Sequence, residues 1–139
     1  PVRALPHPPP QLPEKAVRGG ERARLLGRWG ERLVAEDLRA RGWRITAANY
    51  RCRFGEVDLI AEDGRYLVFV EVKLRGSSQY GLPMEAVTAA KRNKLRAAAQ
   101  QYLLEHPSTL QPRFDVAQVF ASQGMRTAHP RIEYVENAF

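Results

Sequence analysis

From about Glu21 to Arg41 apolar residues return every three or four positions. Wound at about 100° per residue, Leu25, Leu26, Trp29, Leu33, Val34 and Leu38 fall on one broad arc. Arg24, Arg28, Arg32 and Arg39 gather opposite it as a basic stripe, and Gly42 stops the helix. Glu31 lies at the seam between arc and stripe, beside Leu38, at the border of a core. The period then shortens from 3.6 to 2. Trp43–Ala48 reads as a short strand feeding a loop at Asn49-Tyr50-Arg51. Glu56–Ala61 alternates, with Val57 and Leu59 on one face and Glu56, Asp58 and Ile60 on the other. Asp63-Gly64 is a hairpin signal, and Tyr66–Leu74 returns antiparallel with Val68, Val70 and Val72 on one face and Glu71 and Lys73 on the other.

A loop over 75–83 leads to a second helix from about Thr88 to Glu105, with Thr88 as its N-cap. Arg113–Phe120 and Arg131–Val135 read as two further strands. The order αβββα followed by ββ predicts a mixed α+β fold, a central mixed sheet flanked by helices.

Composition sets the boundaries of this picture. The chain has 139 residues, enough for one domain and hardly for two. Six of its ten prolines lie within residues 1–13, so residues 1–20 are expected to form a flexible, basic tail ahead of a domain over 21–139. The longest strongly apolar stretch, Leu67–Val72, is broken by Glu71, which excludes a membrane span of the helical kind. One cysteine, Cys52, excludes an internal disulfide framework and a cysteine-rich zinc site. No stretch has a signal-peptide pattern, and a cytoplasmic location is the expectation. The net charge of +7 is asymmetric: residues 1–54 hold 12 basic and 5 acidic residues, and residues 55–139 hold 10 of each. A basic front half favours a polyanionic partner such as nucleic acid, although a solvated, solubilising surface would carry the same charge.

The chemistry concentrates on the hairpin. With a two-residue turn at Asp63-Gly64, Glu62 opposes Arg65, Glu56 opposes Glu71, and Asp58 lies diagonal to Glu71 on the same face. A register one step longer sets Asp58 directly across from Glu71. Either way the two β-carbons fall within about 5–8 Å. Carboxylates so close repel unless a cation lies between them, and Mg²⁺ takes one or two carboxylates plus water and phosphate. Lys73 points the same way and could act on a nearby water or on charge developing at a phosphate. The same residues could instead form a same-face Glu71–Lys73 ion pair. The valines and phenylalanine around them mark a buried strand, where charge is costly.

Asp58, then twelve residues, then Glu71-Val72-Lys73 on a hairpin after a helix is similar to the PD-(D/E)XK nuclease pattern. A longer set of segments narrows the resemblance: Gly30-Glu31, Asn49-Tyr50-Arg51, Gly55-Glu56-Val57-Asp58-Leu59-Ile60, Phe69-Val70-Glu71-Val72-Lys73, Tyr80-Gly81-Leu82-Pro83, Ala86-Val87-Thr88 with Lys91, Arg113-Phe114-Asp115-Val116, and Glu136-Asn137-Ala138-Phe139. Over about residues 27–139 the chain resembles the YraN family of small bacterial proteins, described as predicted endonucleases. It is more distantly similar to the archaeal Holliday-junction resolvases.

The resemblance implies a restriction-endonuclease-like αβββαβ core. It also implies a metal-dependent endonuclease for DNA phosphodiesters, with Mg²⁺ or Mn²⁺ as cofactor and a 5′-phosphate product. By the same likeness Asp58, Glu71 and the Val72 carbonyl would hold the metal. Lys73 would orient or activate the attacking water, and Glu31 would complete the metal site or place a second ion. Branched DNA as substrate and a homodimer are the resolvase-like extension. Arg28, Arg51, Arg53, Arg75 and Lys91 are the candidate nucleic-acid contacts. Lys91 stands at a helix N-terminus, where anions are favoured, and equally fits a lysine snorkelling at the core edge. Glu56 reads as solvent-facing or as a supporting carboxylate, Asp115 as a structural hydrogen-bonding residue, and Cys52 as a passenger. The alternative function is a non-catalytic nucleic-acid-binding module on the same fold.

Overall fold

The computed structural model describes residues 19–76 and 87–139. Helix α1 (Gly19–Ala40) precedes strands β1 (Arg44–Cys52), β2 (Gly55–Glu62) and β3 (Tyr66–Arg75). Helix α2 (Ala89–Glu105), β4 (Gln111–Phe120), a 3-10 turn (Gly124–Arg126) and β5 (Arg131–Val135) complete the order. The five strands form one sheet in chain order, β1-β2-β3-β4-β5. All neighbours are antiparallel except β3 and β4, which run parallel. A parallel neighbour needs a crossover, and α2 supplies it. This is a mixed α+β fold with the αβββαβ order of a nuclease-like core. Within the tail expected over 1–20, residues 1–18 lie outside the described residues, and 19–20 already belong to α1. The segment Tyr80-Gly81-Leu82-Pro83 and Ala86 also fall outside. No helix among the described residues is long and apolar enough to cross a membrane.

Each helix covers one side of the sheet. On the α1 side Trp29, Leu33, Val34 and Leu38 pack against Leu59, Ala61, Val68, Val70, Ala117 and Val119. On the α2 side Leu95, Ala98, Ala99 and Tyr102 pack against Val57, Ile60, Leu67 and Phe69. The expected arc of α1 is buried except at its start, where Leu25 is 37% exposed because the first turns contribute little to this core. Thr88 caps α2, its hydroxyl accepting the Lys91 N–H at 3.2 Å. The basic stripe Arg24, Arg28, Arg32 and Arg39 is exposed.

Two details of strand pairing differ from the sequence expectation, and both shape the site. Asn49-Tyr50-Arg51 is strand, paired to β2 through Tyr50↔Val57 and Arg51↔Glu56. The hairpin turn centres on Gly64-Arg65, one residue later than expected. Gly64 takes φ +95°, suited to glycine at the first central position, and the Asp63 carboxylate accepts the N–H groups of Arg65 and Tyr66 at 2.9 and 2.7 Å. Glu62 therefore opposes Leu67, not Arg65, and the register is the longer one.

Candidate functional site

The longer register sets Asp58 and Glu71 at the same level, and there the sheet opens. Pairing of β2 with β3 ends at Leu59↔Val70. Beyond it β2 stays with β1, and β3 stays with β4. Had the ladder continued, Val57 would face Val72. Instead the Val72 N–H donates to Asp58 Oδ2 at 2.8 Å, so the carboxylate stands in the gap as a substitute ladder partner. A strand residue directs its N–H and C=O to the same neighbour, so the Val72 carbonyl faces this gap as well.

The opening has a local cause. Val57 and Leu59 pack on opposite sides of the sheet, against the strict alternation expected for β2. The strand therefore half-rotates through Asp58. Opposite Asp58, bracketed by Ala48↔Leu59 and Tyr50↔Val57, is Asn49, which holds φ +54°. Asparagine tolerates this left-handed conformation better than most side chains. The kink lets β1 turn in step with β2: Ala47 and Tyr50 both pack on the α2 side, although their spacing in a regular strand would separate them.

Both helices contribute to the gap. Gly30 makes the close approach of α1 possible, since a Cβ there would meet the Leu74 side chain at 3.1 Å. The next residue, Glu31, reaches Asn49 and Asp58. Burial pushes the Glu31 carboxyl above its ordinary range, and hydrogen bonding from Asn49 partly offsets this. Glu31 Oε1 is buried with no hydrogen-bond partner, alone in this among buried side-chain polar atoms of the described residues. From the α2 side Lys91 Nζ lies 2.9 Å from Glu71 Oε2, and Lys73 Nζ lies 3.2 Å from the same oxygen. Glu71 is only 4% exposed. Burial opposes the charge on Lys91, but Glu71, then Asp58 and Glu56, outweigh it and raise its pKa.

Asp58 carries the largest perturbation of the set. Burial first, then the Glu71 charge, push its carboxyl up to about 8, against the hydrogen bond from Val72. Near neutrality the Asp58 carboxyl therefore holds its proton, as a poorly solvated carboxyl beside another carboxylate does. Among the described residues no three His, Cys, Asp or Glu side chains form a ready metal cage. The donors nevertheless suit Mg²⁺, which takes one or two carboxylates and keeps several waters. They are two facing carboxylates, a carbonyl turned to the same gap, and a stranded carboxylate oxygen.

The remaining candidates divide. Arg51 Nε bonds Glu56 at 2.7 Å on the exposed surface, so Glu56 is a partner of Arg51 that also adds to the field on Glu31. Arg28 is exposed and lowers the cost of charge on Glu31. Arg53 is exposed, over the Phe54 ring and outside the gap. Arg75 continues β3 two residues past Lys73. Asp115 is buried, accepts two bonds from Arg113 at 2.9 Å and accepts the Asn137 N–H at 3.0 Å, a structural role. Cys52 is a half-buried free thiol beside the α2-side core. Sequence reasoning passed over Asn49 as a site residue. Its signal was an asparagine, a poor strand former, between residues that otherwise extend the strand.

Comparison with known proteins assigns the chain to a family. Residues 30–119 match the model of the uncharacterised protein family UPF0102. A UPF0102 protein of Symbiobacterium thermophilum is 48% identical over 118 residues, covering 84% of this chain and 98% of its own. One of Pelotomaculum thermopropionicum is 45% identical over 117 residues, covering 84% and 96%. One of Methylococcus capsulatus is 44% identical over 123 residues, covering 88% and 96%. The matched span holds Glu31, Asn49, Asp58, Glu71, Lys73 and Lys91, and the chain belongs to the UPF0102 family, the YraN family of the sequence resemblance.

Proposed function

We propose that the protein is a metal-dependent endonuclease that hydrolyses phosphodiester bonds of DNA. One observation carries the reading. The sheet is opened at Asp58 and Glu71, and a half-buried carboxyl and a buried carboxylate face each other there, with two lysines on the buried one. A fold that needed only stability would close this ladder with apolar pairs, because even paired charges taken out of water return less stability than well-packed apolar groups.

Asp58, Glu71 and the Val72 carbonyl would hold Mg²⁺ or Mn²⁺, with Glu31 as a further ligand or the anchor of a ligating water. The bound ion would supply neutralisation of phosphate charge and acidity to a water. Lys73 orients that water by donating an N–H to its oxygen. Lys91, released from Glu71 as substrate enters, offers its ammonium to the phosphate, aided by the N-terminal dipole of α2. As water adds to phosphorus it gives up a proton to solvent, and the bond from phosphorus to the 3′ oxygen breaks. That oxygen takes a proton from solvent, and the other product ends in a 5′ phosphate. The exposed arginines of α1 and Arg53 supply salt-sensitive affinity without reading sequence.

A second reading, a nucleic-acid-binding module without turnover, draws on one feature: Lys73 and Lys91 already neutralise Glu71 within the chain. The deciding experiment is a cleavage assay on labelled single-stranded, duplex, flap and four-way DNA with Mg²⁺ or Mn²⁺. EDTA and an Asp58→Ala, Lys73→Ala double variant serve as controls. Metal-dependent cutting that the double variant loses supports hydrolysis. Tight, salt-sensitive binding that survives EDTA, with no cutting of any substrate, overturns it in favour of the binding module.

A further inference from the structure

Past Lys73 the sheet carries a second cluster on the face of Glu71. The registers set Arg75 beside Phe120 and Phe120 beside Arg131, one row across β3, β4 and β5. Odd positions of β3 from Glu71 onward share this face, and Ile132 and Tyr134 pack on the other, so Arg131 points to the Glu71 side. Helix α2 packs mainly over β2 and β1 and meets β3 at Leu67, Phe69 and Glu71, on the turn side of this row. The row lines a pocket of about 250 Å³, to which Ser122 and His129 also contribute.

Its details suit a nucleotide. The Arg131 guanidinium lies 4.3 Å from the Phe120 ring centroid, and its Nε is held by Glu133 at 3.1 Å. Ring and carboxylate hold the guanidinium in place, and Arg131 is exposed, so it still offers cationic surface to solvent. Arg75 Nε donates to Gln118 Oε1 at 3.3 Å, which aims that side chain along the sheet. Same-face neighbours on a strand lie about 6.8 Å apart and adjacent strands about 4.8 Å apart. A polynucleotide leaving Lys73 thus meets Arg75 after one residue pair and Arg131 two strands further on. Unpaired bases stack on aromatic rings and on arginine planes, whereas bases inside a duplex present no free face.

We infer that the Arg75–Phe120–Arg131 row is a nucleotide subsite that takes a backbone phosphate and a stacked, unpaired base from a single-stranded segment next to the scissile bond. The inference rests on the nuclease reading for its orientation toward Lys73. It selects a substrate class for that reading, strands with unpaired nucleotides beside the cut.

The test measures binding of the full chain to a labelled oligothymidylate of about 15 nucleotides in EDTA, by fluorescence anisotropy from about 50 to 200 mM salt. Arg131→Ala should weaken binding about tenfold and reduce the slope of log affinity against log salt by about 0.7, one phosphate contact on a single strand. Arg131→Lys should restore the slope and not the full affinity. Phe120→Leu should weaken binding about fivefold with the slope unchanged. Arg44→Ala, on the far edge of the sheet and paired with Glu62, should change neither. Unchanged slope and affinity in Arg131→Ala, or an equal loss in Arg44→Ala, would overturn the subsite. Because no cleavage is read, an inactive wild type showing the expected pattern would sink the hydrolysis reading alone. An active wild type with Arg131→Ala binding normally would sink the subsite alone.

Discussion

The two ends of the β2–β3 hairpin are built from the same strands and do opposite things. At the turn end Leu59, Ile60 and Ala61 face Val70, Phe69 and Val68 in an unbroken ladder, with a helix on each side. Several of these side chains are completely buried, each contributing on the order of 1.5–3 kcal/mol. At the other end the ladder is absent, and its place is taken by Asp58, Glu71, Lys73, Lys91 and Glu31. Such a gap is tolerated because the apolar end holds both strands in position before they part. Apolar packing and the carboxylate–lysine cluster are separated along one hairpin by a half-turn of β2 at Asp58.

Changes at the open end should separate activity from stability most sharply. Asp58→Asn keeps an oxygen to accept the Val72 N–H but removes the charge. On the nuclease reading it should lower the cleavage rate at least about a thousandfold while leaving the metal-free fold as stable or more so. Single-turnover cleavage and urea unfolding of the same preparation check this; unfolding at much lower urea would contradict it. The closed end should respond in the opposite way. Leu38→Ala, in the α1-side core, should cost about 2–5 kcal/mol in urea unfolding. The folded fraction should retain its catalytic rate.

Protonation gives a subtler contrast. The Asp58 pKa is raised in the fold, so between about 4 and 8 the native state binds more protons than the unfolded chain. Metal-free stability should therefore fall as pH rises through this window, by up to about 1.4 kcal/mol per pH unit from this group. Asp58→Asn should remove that component, measurable as a flatter pH dependence of the urea midpoint. A slope equal in wild type and variant would show that Asp58 is not its source. The smallest effect is expected at Gly30→Ala, where the Leu74 side chain must give by a few tenths of an ångström. Stability should change by less than about 1 kcal/mol, since alanine also favours the helix. Cleavage should drop severalfold because Glu31 is displaced.

Much of the fold was readable along the chain. Both helices, the hairpin and the last two strands occur where periodicity places them. The division of β3 into Val68, Val70 and Val72 on one side and Glu71 and Lys73 on the other follows its alternation. Asp58 and Glu71 were legible as a pair because a hairpin brings nearby sequence together under either register. Lys91 was not legible as a partner of Glu71. Its distance from β3 is bridged by the crossover, and helical position alone left it equally a core-edge lysine. Asn49 was hidden for another reason: a positive φ inside a strand costs local energy and is stabilised only by what surrounds it.

By itself the sequence determined most of the elements, the buried faces of the helices and of β3, and the residue types able to bind a metal and a phosphate, because these depend on periods of a few residues. Tertiary structure decided the register of the hairpin and the half-turn at Asn49 and Asp58 that parts the sheet. It also decided the meeting of Glu31 and Lys91 across the gap from opposite helices. These follow from how far apart the packed layers sit and how the strands rotate between them, distances and angles that no local pattern encodes.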